Sequence, residues 1–124
     1  MPMLIAIQLN THAEPTIPIS IYNDTNSKIA MLWTPRENWD NDIVSTKMVE
    51  RLGAEVEQSD KDLSSVNFMG QTFQTKGHVQ LKWGVERSKE VRTTYFLVAV
   101  TAEDPSFEIV LGRRNAIRYG LVQP

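Results

Sequence analysis

Two carboxylates, Asp40 and Asp42, stand two residues apart in a polar stretch that also holds Arg36, Glu37 and Trp39. Carboxylates can serve general acid–base hydrolysis, because one ionised carboxylate activates water while a protonated one donates. The same pair also reads as a solvated loop, with one acid near a helix N-terminus, where negative charge is favoured. The other reactive side chains offer less. His12 and His78 are far apart in sequence, and nothing in their spacing suggests a metal pair. No Gly-x-Ser-x-Gly elbow accompanies the serines, and no glycine-rich phosphate loop is present. Arg113, Arg114 and Arg118 form a basic cluster that reads as a solvated helix face or as partners for acids such as Glu50. No cysteine occurs, which removes thiol chemistry, disulfides and Cys-ligated zinc. No cofactor and no metal is implied.

The elements that must position these residues are short and apolar. Residues 3–9 (MLIAIQL) read as a strand, turned by residues 10–15. Ile17, Ile19 and Ile21 alternate onto one face of a second strand, and Pro18 on the opposite face suggests an edge or a bulge. Turn formers at 23–27 lead into residues 28–33 (KIAMLW), apolar enough to expect burial on both faces. Residues 34–42 lack periodicity and form a loop. Ser45 or Thr46 then caps a helix of about two turns, with Met48, Val49 and Leu52 inward and Gly53 at its end. Residues 55–65 are acidic and exposed. Residues 66–68 and 72–76 flank a tight turn. Gly77 is expected to break that run before residues 78–83, where Val79, Leu81 and Trp83 share a face. Residues 84–90 are a charged turn, 91–100 the strongest strand by β-propensity, and 107–111 a short buried strand. A short helix follows Gly112 and is closed by Gly120. Trp33 and Trp83 read as core. Trp39 packs on its own loop or is an exposed contact. His78 reads as an exposed strand residue.

Seven or eight short strands, two short helices and turns every 8–12 residues describe a small all-β barrel in one domain spanning residues 1–124. Charged content is ordinary and the net charge is −2, which argues against nucleic-acid and anionic-membrane partners. There is no transmembrane-length apolar run and no signal-peptide pattern at Met1, so an intracellular, cytoplasmic protein or part of one is expected. Asn23-Asp24-Thr25 is then an unglycosylated sequon.

The order of these elements resembles the retropepsin-like aspartic protease domain, the family of retroviral, retrotransposon and related fungal proteases. The resemblance runs from about Thr16 to Leu121. It rests most on FEIVLGRRNAIRYGL, an apolar strand, then Leu111-Gly112-Arg113, then a short helix. IVSTKMVERLG matches the segment after the family's catalytic loop, and residues 66–77 fall where the family places its flap. The resemblance implies a peptide groove under Met69, Gly70, Gln71 and Thr72, and homodimerisation as one assembly. It also implies a catalytic Asp-Thr-Gly or Asp-Ser-Gly, one aspartate from each subunit. The two aspartates share a proton, because like charges about 3 Å apart cannot both ionise. This chain departs from that motif. From the strand side, Thr34, Pro35 and Arg36 occupy its position; counted back from Ile43 without a gap, Arg36, Glu37 and Asn38 do. Two arginines at a two-fold axis would repel unless each met an acid such as Glu37 or Asp40. The expectation is a catalytically inactive domain that binds a protein or peptide, or dimerises. The alternatives are an active aspartic endopeptidase using Asp40 or Asp42, and an unrelated small barrel.

Overall fold

The computed structural model describes residues 16–23, 27–35, 39–58, 64–101 and 105–124. The strand expected at 3–9, His12 and Arg36 lie outside the described residues. Seven strands and two helices are seen: β1 (Thr16–Tyr22), β2 (Ser27–Trp33), β3 (Ile43–Ser45), α1 (Thr46–Leu52), β4 (Ser65–Phe68), β5 (Gln71–Val85), β6 (Arg92–Ala99), β7 (Ile109–Val110) and α2 (Arg113–Arg118).

The strands form one sheet in the order β1-β2-β7-β3-β6-β5-β4, and β1 also pairs with β5. That extra pairing closes six strands into a ring and leaves β4 as an appendage on β5. Closure removes the free edges of those six strands, which would otherwise invite pairing with another chain, and β4 keeps one. β1 and β2 form the expected antiparallel hairpin, from Thr16↔Trp33 to Tyr22↔Ser27. Pro18 lies just outside the β5 pairing, which begins at Ile19, and its carbonyl accepts from the Glu86 N–H at 3.3 Å. A missing N–H is tolerated there.

Three expectations are corrected. β2 is buried on one face only: Ala30 and Leu32 point inward while Ile29 is 64% exposed and Met31 39%. The other face has no layer over it among the described residues. Gly77 does not break the strand. It sits inside the 15-residue β5, at a register shift between Thr75 and His78. A Cβ there would meet the Glu57 carbonyl oxygen at 2.6 Å, so glycine admits the neighbouring chain, which bridges Glu57 to His78. This is the bulge role of glycine in a strand. Gly84 belongs to the same strand rather than to the turn, which begins at Glu86.

The core has two parts. Inside the ring, Ile19, Ile21, Leu32, Val44, Leu81, Trp83, Phe96 and Ile109 pack with Met48, Val49 and Leu52 of α1 and Ala116 of α2. A second cluster lies under the β4–β5 hairpin and is rich in aromatic rings: Phe68, Phe73 and Phe107 with Ile43, Val66 and Val110. Trp83 is fully buried and donates its indole N–H to the Thr94 hydroxyl at 3.0 Å. Trp33 is only half-buried, at the margin of the second cluster.

Candidate functional site

The loop between β2 and β3 is laid across the start of α2. Gly112 is buried, and a Cβ at that position would approach the Asp40 carbonyl carbon to 2.8 Å and the Asn41 nitrogen to 3.1 Å. Only a glycine lets the two backbones come this close. Gly112 brings no side chain to cap α2, so the first N–H groups of that helix need partners from elsewhere.

Residues 39–42 of the loop supply three of them. The Gly112 N–H donates to Asp42 Oδ1 at 2.7 Å. The Arg113 N–H donates to the Trp39 carbonyl at 2.7 Å, and the Arg114 N–H to Asp40 Oδ1 at 3.1 Å. Asp42 Oδ2 accepts a further bond from the Asn115 side-chain amide at 2.7 Å. Both oxygens of Asp42 are therefore engaged. Burial pushes the Asp42 carboxyl above its ordinary value. The bonds from Gly112 and Asn115 pull it down in part, and the neighbouring Asp40 charge adds to the rise.

Asp40 and Asp42 thus do come together, beside a helix N-terminus as one reading of the sequence expected. The helix is not the one that follows them in sequence but α2, some 70 residues on. Arg114 lies 3.7 Å from Asp40 and is largely exposed, so Asp40 is an acid that meets the basic cluster among the described residues. Arg113 also reaches the Gln123 carbonyl at 3.3 Å. Thr34 is buried and Pro35 half-buried at the end of β2.

Trp39 takes neither role offered for it by the sequence. Its ring packs against Phe68 of the hairpin, with centroids 5.3 Å apart. Its indole N–H donates to the Asn67 carbonyl at 2.9 Å. Phe68 in turn meets Trp33 at 5.6 Å and Phe107 at 5.3 Å, both edge-on, and Phe107 meets Phe73 at 5.3 Å. A chain of rings therefore runs from the loop through the hairpin into the second core cluster. An aromatic residue inside a polar loop was the one sequence signal for this contact.

The hairpin itself turns at Met69 and Gly70, with φ of 54° and 77°. Two successive positive values are the signature of a tight turn that matches strand twist. Met69, Gly70, Gln71 and Thr72 are all exposed, and Thr72 Oγ1 donates to Asn67 Oδ1 at 2.5 Å. His78 is not the exposed strand residue expected. It is half-buried against Tyr95, and its Nε2 lies 3.1 Å from Glu57 Oε2. No group of three or more His, Asp or Glu side chains gathers as a metal site among the described residues. No helix among them is long and apolar enough to cross a membrane.

No protein-family model matches this chain, and no curated protein matches it. Among solved structures it is similar to the EIAV protease complexed with the inhibitor HBY-793. The two are 20% identical, the match covers 90% of this chain and 92% of the other, and the TM-score is 0.60. With a ring of short strands, a hairpin over one end and α2 packed beneath the β2–β3 loop, the chain has a retropepsin-like fold.

Proposed function

We propose that this chain is a catalytically inactive retropepsin-like domain, a pseudo-aspartic-protease that serves as a peptide-binding or dimerisation module. One observation carries the reading. The two carboxylates of the β2–β3 loop are both engaged at the start of α2, and Asp42 has each oxygen in a 2.7 Å hydrogen bond. A carboxylate in that position holds backbone N–H groups, not a nucleophilic water. The stretch 34–42 also contains no Asp-Thr-Gly or Asp-Ser-Gly, so nothing in it supplies the motif's aspartate or the glycine that lets the loop bend. The groove between the hairpin at Met69, Gly70, Gln71 and Thr72 and the altered loop remains the surface for an extended peptide. Strand addition is the mode of recognition that suits it.

A second reading is favoured by the raised pKa of Asp42, since acids perturbed by burial beside a second carboxylate are typical of catalytic sites. In that reading Asp40 or Asp42 serves an aspartic endopeptidase with an unusual loop. A peptidase assay at acid and neutral pH separates the two. The inactive domain is expected to cleave nothing. Pepstatin-sensitive cleavage that disappears in Asp40→Asn or Asp42→Asn would overturn it. Light scattering at micromolar concentration tests the dimerisation half, which a strictly monomeric mass would remove.

A further inference from the structure

We propose that Trp39 is an internal latch that occupies the peptide position beneath the hairpin and holds the hairpin down. The two-residue turn makes Phe68 and Gln71 the closing hydrogen-bonded pair of the hairpin. Bonded and non-bonded positions alternate along an antiparallel pair, so Asn67, opposite Thr72, sits at a non-bonded position and its carbonyl faces away from β5. Among the described residues β4 has no other strand on that side. The outward carbonyl of Asn67 is what an added strand would bond to, and the Trp39 indole N–H already bonds to it at 2.9 Å. The ring fills the adjoining space against Phe68.

Trp39 thus makes the two kinds of contact a peptide residue would make there, a donated N–H and a ring packed on Phe68. A ligand that displaces it must offer the same pair, a backbone N–H to Asn67 and an aromatic or bulky apolar side chain to Phe68. As a control on peptide access, the latch presupposes that the groove binds peptide. As a contact between loop and hairpin, it does not.

Amide hydrogen exchange of the whole chain tests it. In Trp39→Ala, the amides of Phe68, Gln71 and Phe73 are expected to exchange about tenfold faster, the combined loss of a ring contact and a hydrogen bond. Amides of β1 and β6 keep their rates. Trp39→Phe retains the ring and is expected to accelerate the same amides about threefold. Millimolar indole added to Trp39→Ala slows them again and leaves the unsubstituted protein unchanged. Hairpin rates in Trp39→Ala equal to those of the unsubstituted protein would overturn the latch. So would acceleration shared equally by β1 and β6, or rates in Trp39→Ala that indole does not alter. Cleavage in a peptidase assay would remove the inactive reading and leave these rates as they are.

Discussion

The two helices are of similar length, and their N-terminal ends are capped by opposite means. α1 is capped mainly from within its own stretch, with one bond from outside, from the Asn23 side-chain amide to the Leu52 carbonyl at 2.6 Å. The Ser45 hydroxyl accepts the Met48 N–H at 3.1 Å, and Gly53 at φ 64° lets its N–H and that of Ala54 return to the Glu50 and Val49 carbonyls. α2 begins at a glycine with no side chain to offer, and its first N–H groups are met by a loop from the far end of the sequence. A helix that caps itself can form wherever it finds an apolar surface. A helix capped by a distant loop forms only with that loop in place, and the loop is fixed in return. In this molecule the second arrangement stands where the retropepsin-like resemblance expects catalysis. The acids that suggest chemistry there bond the start of α2.

The sharpest way to break the contrast is Gly112→Ala. The new methyl would lie within 3.0 Å of the backbone of Asp40, and backbone cannot swing aside as a side chain can. A loss of about 2–4 kcal/mol is expected, read as a lowered midpoint in denaturant. Asp42→Ala follows at about 2 kcal/mol, because the Gly112 N–H and the Asn115 amide lose their acceptor together. Ser45→Ala, the local counterpart, is expected to cost about 1 kcal/mol. Asp40→Asn comes last, at under about 0.5 kcal/mol. The amide oxygen can still accept from Arg114, and the exposed ion pair it gives up is worth little.

The pH dependence sharpens the same comparison. Burial raises the Asp42 carboxyl above its ordinary value of 3.8, so the folded chain holds that proton more tightly than the unfolded chain. Stability from this group is fully present below 3.8. It falls as pH rises through the window between 3.8 and the raised value, and is flat above it. The stability difference between the unsubstituted protein and Asp42→Asn should therefore shrink across that window, while the difference for Ser45→Ala stays constant. A carboxyl resonance of Asp42 titrating at or below 3.8 would contradict the burial argument.

What could be read from the sequence was whatever depends on neighbours in the chain. The apolar spacing of Met48, Val49 and Leu52, the capping serine and the closing Gly53 lie within nine residues, and α1 is where they place it. The alternation of Ile17, Ile19 and Ile21 likewise marks β1. Gly77 misleads because its reason is spatial: the strand continues, and the glycine admits the Glu57 backbone. Ile29 and Met31 mislead in the other direction, since apolar residues on an exposed face look like core when only the sequence is visible. β3 and β7 are three and two residues long, too short to show a period, yet both lie in the middle of the sheet order. The partners of Asp40, Asp42 and Trp39 are 28 to 74 residues away, and no local pattern points to them.

The closure of the ring has a consequence for how the chain folds. Among the described strands, the β1–β2 hairpin joins the others through two seams, Ile19–Tyr22 against β5 and Leu32–Trp33 against β7. Each seam unites segments that are remote along the chain, so a long stretch must be drawn in before either seam returns any energy. The hairpin is local and can form early, but its docking must wait for β5 and β7 to be in position. Refolding from denaturant is expected on the millisecond-to-second scale typical of such non-local topologies, with the β1–β5 seam the last to gain exchange protection. The ring that leaves β4 as the outlying strand is thus also the slow step in making the molecule.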